Sequence, residues 1–354
     1  MGHITVRTSQ TKGLRYQASV RVGGRERTST HRRRLDAQRW IDANQTDLAR
    51  GQWIDPNAGK VTVDAYATAW LAHRHGLRPS TQQRYKSLLA RHILPVLGDI
   101  PMGRLDAGQV RSWHTELHSR LPNGAAAAYR LLAAIYRTAV DDGVVQRTPC
   151  RIRGGGTERA AERPVATPAE VARAAEAMPA PLCLAVLLAS YCSLRRGEIL
   201  GLQRGDVDRL TGSVSIERTW TELGLGPPKS AAGRRRLAMP AHVVTAVQAH
   251  LKKHVGEGDD AWVFPGAGDE PCAPRTLDAG WQKARKAIGR TDLHLHDLRH
   301  SGLTWTAQTG ATTAELMRRA GHASPLIAMR YQHATEDRDR SLAAALEDLA
   351  REAG

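Results

Sequence analysis

The chain has 354 residues and a formal net charge of +16, with 51 Lys and Arg against 35 Asp and Glu, enough length for two or three domains that each bury a core. The excess, mostly arginine, points to a polyanionic partner with nucleic acid first; the other reading is a merely soluble, adhesive surface in a GC-rich composition. Cys150, Cys183, Cys192 and Cys272 show no Cys-x-x-Cys spacing, the apolar run Pro181 to Cys192 is too short to span a bilayer, and no signal-peptide core opens the chain. Zinc ribbons, disulfide scaffolds and membrane spans are thereby disfavoured, and a soluble intracellular protein with reduced thiols is expected.

Residues 1–56 begin with three short alternating pieces, Ile4 to Arg7, Tyr16 to Val22 and Arg25 to Thr30, with Gly23-Gly24 as a hairpin signal. A helix follows from about Leu35, with Ala37, Trp40, Ile41 and Leu48 at helical spacing, and Gly51 ends it. Arg7, Lys12, Arg15, Arg21, Arg25 and Arg27 face little acid beyond Glu26. A small sheet of this kind can lie in a major groove while arginines hold phosphates; the bland alternative is a solvated basic edge that resists aggregation.

Residues 60–150 read as a helical bundle. Val61 to Leu71 is amphipathic, Pro79-Ser80-Thr81 marks a helix start, Pro95 and Gly98 interrupt the pattern, Asp106 caps the next helix, and Ala125 to Val140 forms another. Arg84, Lys86 and Arg91 either grip a nucleic-acid backbone or form an ordinary solvated face. Residues 151–163, centred on Gly154-Gly155-Gly156, read as a flexible linker. Residues 164–354 open with a capping box at Thr167 and Glu170 and continue as an α-rich domain. Strand-like pieces at Val214 to Trp220 and Arg235 to Met239 give it a small antiparallel sheet, with Lys229 in the turn between them.

This last domain carries the chemistry. In Ser193-Leu-Arg195-Arg196-Gly197-Glu198, Arg195 emerges behind a buried apolar helix, where an unpaired guanidinium is costly. Either it forms a structural pair with Glu198, or it meets a bound phosphate with Glu198 orienting it. His296, Arg299 and His300 stand at i, i+3 and i+4 and share a helix face. His294 and His296 lack a carboxylate or cysteine at ligand spacing, so no metal site is expected. Tyr331 alone reads as a packed helix residue and Lys229 as a turn lysine. Together with Gly321-His322 they form a set. A phenol needs a base and nearby cations before it attacks, and a lysine can protonate a departing oxygen.

The set resembles the tyrosine recombinase (lambda-type phage integrase) family over nearly the whole chain. Residues 1–56, ending Gly51-Gln-Trp53-Ile-Asp-Pro56, resemble an arm-type DNA-binding domain. Residues 60–150, with Ser80-Thr81, Tyr85 and His92-Ile-Leu-Pro95-Val-Leu-Gly98, resemble a core-binding SAM-like helical domain. Residues 164–354 resemble the catalytic domain shared with type IB topoisomerases. By motif position the resemblance makes Arg195, Lys229, His296, Arg299 and His322 the phosphate-binding and acid–base residues and Tyr331, in Met329-Arg-Tyr331-Gln-His333, the nucleophile, with Glu198 and His300 supporting. Cys192-Ser193 replaces the more usual Thr-Gly, and Arg319-Ala320 precedes Gly321-His322 in place of Leu; neither change removes a reacting group.

The resemblance implies site-specific recombination through a 3′-phosphotyrosyl link and a Holliday junction, without metal or ATP, to integrate or excise a phage or other mobile element. It implies a homotetramer on double-stranded core-type and arm-type attachment sites, in the cytoplasm and on the nucleoid of a bacterial host. It leaves room for a host DNA-bending protein and a directionality factor. Leu342, Leu346 and Leu349 form a last apolar stripe that either packs on its own domain or docks on a neighbouring protomer. Two alternatives stand beside this reading: a topoisomerase-like nicking-closing enzyme, and a DNA-binding protein with vestigial catalytic residues.

Overall fold

A computed structural model describes residues 2–9, 13–22, 25–49, 55, 57–158 and 163–331, and scattered positions between 343 and 351. The chain divides into two compact units, Met1–Arg159 and Ala160–Gly354.

The first unit opens with β1 (Gly2–Ser9), β2 (Gly13–Val22) and β3 (Arg25–His31), an antiparallel sheet in the order β1-β2-β3, followed by α1 (Arg34–Ala49). Alternation along β2 turns Ala18 and Val20 inward, where Ala37 and Ile41 of α1 complete a small core. The opposite face is polar: Arg7 pairs across from Arg15, Thr5 from Gln17 and Gln17 from Thr30, with Arg21 opposite Glu26. Arg27 departs from the expected DNA-binding set. It lies in register with inward-facing Val20, is half-buried, and pairs with Asp55. Period-2 alternation puts it on the helix side, where a carboxylate consumes its charge. Lys12 and the side chain of Arg25 lie outside the described residues, as do Gly23, Gly24 and the segment 50–54.

A second core in this unit gathers five helices: α2 (Val63–Ala72), α3 (Pro79–Leu88), α4 (Leu94–Leu97), α5 (Ala107–Arg120) and α6 (Pro122–Asp141). Asp106 caps α5 through the amides of Gly108 and Gln109, as its sequence position predicts. At α3 the cap is Arg78, not Ser80 or Thr81; Pro79 takes the first helical position, where its missing N–H is harmless. Pro95 does not break the chain's helical path: a π-turn over Leu89–Ile93 leads into α4, and Gly98 follows it. Arg84, Lys86 and Arg91 are all exposed. The glycine run expected at the centre of a flexible linker is folded against the bundle. His114 donates to the Gly155 carbonyl at 3.0 Å, and Arg130 donates to Gly156 and pairs with Glu158. These carbonyls find side-chain donors on α5 and α6, and that holds residues a glycine run would otherwise leave free.

The second unit is built around α8 (Cys183–Tyr191), apolar and buried on nearly every side, after α7 (Pro168–Ala177). The capping box of Thr167 and Glu170 forms as read. Next come α9 (Arg196–Leu200), β4 (Val207–Asp208), β5 (Ser213–Ile216), β6 (Thr219–Thr221), β7 (Gly224–Gly226) and β8 (Arg235–Ala238). The piece read as one strand from Val214 to Trp220 is two: β5 sits in a β4-β5-β8 sheet and β6 in a hairpin with β7. Between them Arg218 pairs with buried Asp206, and the chain leaves one sheet for the other.

The rest is helical: α10 (Ala241–His254), α11 (Pro274–Ala287), α12 (Leu295–Gln308), α13 (Thr313–Ala320) and α14 (Pro325–Ala328), then a short turn Met329–Tyr331. The helix α12 lies so close to α8 that a Cβ on Gly302 would fall 1.7 Å from the Ser190 carbonyl oxygen. No helix among the described residues is long and apolar enough to cross a membrane. Leu342 and Leu349 lie outside the described residues, and Leu346 is exposed.

Candidate active site

The sharp junction between α8 and α9 starts the site. Ser193 has φ +53°, a left-handed conformation unusual for a residue with a side chain, and it is fully buried. This bend aims the Ser193 carbonyl at Arg299 and lets Arg195 emerge at the head of α9. Glu198, one turn on, accepts the Arg195 amide at 3.0 Å and its guanidinium at 2.6 Å. Both readings of that pair are therefore compatible with its geometry: the carboxylate orients Arg195, yet the Arg195 side chain is still 28% exposed.

Glu198 is 1% exposed and has a second partner that sequence reasoning missed. Arg235 of β8, 4% exposed, grips both carboxylate oxygens at 3.2 and 2.9 Å. Burial alone would push the Glu198 carboxyl up, but the hydrogen bonds and charge of Arg235, then Arg195, hold it below the usual range. Arg235 stands in Gly233-Arg-Arg235-Arg, a basic run close to Lys229. Strand alternation separates its buried position from Arg236, which pairs outward with Asp208. That alternation was the one signal available for finding it.

Arg299 enters from α12 and is 3% exposed. Asp297 at the head of that helix is buried, accepts the His294 amide at 2.8 Å and pairs with Arg163, and this fixes where α12 begins. Arg299 donates to the carbonyls of Ser193 and Ala320 and to His322 Nε2 at 3.1 Å. Its chain neighbours on the helix diverge: His296 is exposed and His300 half-buried. Burial, then the charge of Arg195, pulls the Arg299 pKa down to about 9, so the guanidinium remains a cation at neutral pH but an uncomfortable one.

His322 follows Gly321, the left-handed residue that closes α13 at φ +61°. A guanidinium can only donate, so His322 Nε2 accepts and the ring is neutral. Burial first, then Arg299, Arg195 and Arg235, push its pKa down to about 4. His296, exposed to solvent yet walled by surrounding chain, is lowered by the same two causes, burial and Arg299. Tyr331, half-buried, has its ring centroid 5.1 Å from His300 and 6.4 Å from His322, nearly parallel to the latter. The structure thus brings Arg195, Glu198, His296, Arg299, His300, His322 and Tyr331 into one region. Lys229 is exposed between β7 and β8, and among the described residues no hydrogen bond or ion pair joins it to that region.

Two guanidiniums, Arg195 and Arg235, share the Glu198 carboxylate, a third, Arg299, donates to carbonyls and to His322 instead, and all three depress His322. Such an excess favours an anion, and a phosphate matches the fork geometry of arginine. Among the described residues no group of three or more His, Cys, Asp or Glu could hold a metal ion.

Residues 165–338 match the model of the phage integrase family, and residues 62–118 match the N-terminal SAM-like domain of phage integrases. A protein assigned as the prophage phiRv2 integrase of Mycobacterium tuberculosis (strain H37Rv) is 39% identical over 335 residues, which is 91% of this chain and 88% of that one. The chain belongs to the phage integrase family. Solved structures agree on the fold. The Tn1549 transposon integrase in complex with a circular intermediate DNA superposes with a TM-score of 0.71 at 18% identity, over 81% of this chain and 99% of that one. A lambda integrase tetramer bound to a Holliday junction gives 0.60 at 18% identity, over 90% and 96%. The architecture is that of tyrosine recombinase integrases: multidomain and mainly helical, with small antiparallel sheets.

Proposed function

We propose that this member of the family is a site-specific recombinase that cuts and rejoins double-stranded DNA with Tyr331 as nucleophile. The observation that carries this is the surplus of guanidinium charge beside a phenol flanked by two imidazoles. Arg195 and Arg299 hold the nonbridging oxygens of the scissile phosphate and stabilise the charge that grows there in the transition state. His300, beside the phenol, takes its proton, while His322, its Nε2 lone pair engaged by Arg299, lies on the other side of the ring. The Tyr331 oxygen forms a bond to phosphorus, the bond from phosphorus to the 5′ oxygen breaks, and Lys229 on its mobile-length side chain delivers the proton to that oxygen. The product is a 3′-phosphotyrosyl link with a free 5′-hydroxyl. Attack of a partner strand's 5′-hydroxyl on this link restores a phosphodiester and frees the tyrosine; two such exchanges make and resolve a Holliday junction.

The rest of the chain supplies the target. The polar outer face of the N-terminal sheet, with Arg7, Arg15 and Arg21 around Thr5, Gln17 and Thr30, fits arm-type duplex DNA. Exposed Arg84, Lys86 and Arg91 fit the core site. A homotetramer on two duplexes, integrating or excising a mobile element, follows from the same reading, and the lambda integrase tetramer on a Holliday junction supports it.

The test is a nicked suicide duplex, selected from a randomised pool by covalent capture in EDTA. The expected product is a protein–DNA adduct that Tyr331→Phe fails to form. An adduct with the Phe variant would remove Tyr331 as nucleophile, and a strict metal requirement would overturn the arginine mechanism. Rejoining only of the original strand, when two duplexes are supplied, would favour a nicking-closing enzyme.

A further inference from the structure

Arg235 has no part in the scheme above, yet it bonds to the segments that carry Arg195 and His322 and to the turn that follows Lys229. Besides gripping Glu198, it donates through Nε to the Arg319 carbonyl at 3.0 Å and through Nη1 to the Gly233 carbonyl at 2.9 Å. One side chain therefore ties β8, the turn Ala231–Gly233 that follows Lys229, the head of α9, and the end of α13 just before His322. It also presses on Gly321, where a Cβ would meet Nη1 at 2.9 Å.

The two arginines on Glu198 are bound differently. Arg235 is almost sealed from solvent and takes both carboxylate oxygens, whereas Arg195 offers Glu198 one terminal nitrogen and the Gly321 carbonyl a long 3.4 Å contact from the other. A carboxylate left with a single arginine closes on it bidentately, and occupies the edge that matches a phosphate. We propose that Arg235 is a positioning residue for the phosphodiester reaction: by holding both oxygens of Glu198 it leaves an edge of Arg195 free for the scissile phosphate. This rests on the reading of Tyr331 as the nucleophile. Arg235 acts through Glu198 and does not touch the reacting atoms.

That indirectness makes the test specific. With the duplex selected on the wild-type chain, Arg235→Met keeps DNA affinity but lowers the single-turnover rate of adduct formation about 100-fold, the size of losing one positioned cation. Arg235→Lys, which retains charge on Glu198, stays within about tenfold of wild type. Adding Glu198→Gln to Arg235→Met removes the carboxylate that captures Arg195 and recovers about tenfold, a coupling expected only of residues that act through one another. A merely structural Arg235 gives no such recovery. If Arg235→Met does not fold, the double variant is compared with Glu198→Gln alone: equal rates support the proposal, and a further loss of about tenfold or more overturns it. A wild-type rate for Arg235→Met, or a double variant no faster than the single, would also overturn it. Failure of the wild-type chain to form any adduct would instead overturn the Tyr331 reading, and the Arg235 comparison would then fall with it.

Discussion

Ser193→Gly is expected to stabilise the second unit, although it deletes a side chain from a fully buried position. Ser193 sits at φ +53°, fully buried, and its hydroxyl has no hydrogen-bond partner among the described residues. Holding a residue with a Cβ in the left-handed region costs about 1–2 kcal/mol, and a buried orphan hydroxyl costs about 1–3 kcal/mol. Glycine removes both, against about 0.5–1 kcal/mol for the extra freedom it gives the unfolded chain and a small loss of packing. Taken at the lower end of both penalties, the net gain is about 1–2 kcal/mol. Hydrogen exchange read by mass spectrometry on peptides spanning 183–202 resolves this locally and does not depend on two-state unfolding of a multi-unit chain. Protection there should rise about 5–30-fold wherever exchange proceeds through opening of this unit. Adduct formation should be little changed, since the Ser193 carbonyl that receives Arg299 belongs to the backbone. Faster exchange in the glycine variant would refute the reasoning, because it would mean that the hydroxyl has a partner or that the bend carries no strain.

Gly302→Ala places a methyl 1.7 Å from the Ser190 carbonyl. A backbone cannot yield as a side chain does, so destabilisation of about 3 kcal/mol or more is expected in urea melts; a loss under about 1 kcal/mol would show that α12 can slide on α8 without cost. The pKa of His322 is lowered from 6.5 to about 4, so the unfolded chain takes up a proton as pH falls through 6.5 while the folded chain does not. Its contribution is intact above that value and is lost progressively towards pH 4; the difference between wild-type and His322→Asn melts should show this slope, and a flat difference would contradict it. Replacing exposed Arg7 or Arg21 with Gln should reduce the dependence of log affinity for duplex DNA on log salt by about one unit each. Arg27→Gln, already paired with Asp55, should leave that slope unchanged, and an equal effect at all three positions would contradict the register of the sheet.

Much of this is legible in the amino-acid sequence. Helix caps act over three or four residues, so Asp106 and Thr167 announced the starts of α5 and α7 directly. Ser80 and Thr81 misled because Pro79 is a stronger local signal for the first helical turn than a hydroxyl one residue later. The glycine run at 154–156 read as free chain because its stabilising donors, His114 and Arg130, come from helices tens of residues earlier.

By itself the sequence determined the chemistry available: the basic balance, the arginines, the two imidazoles and the phenol, with positions that mark each. Tertiary structure alone decided which of the arginines are bound and which are free. Arg27 is spent on Asp55, 28 residues away. Arg299 is anchored by a carbonyl 106 residues earlier, and Arg235 reaches back 37 residues to take Glu198. The physical reason is one of range. Hydrophobic period and capping are satisfied within a turn or two of chain, whereas a buried guanidinium must find its partners wherever folding brings them.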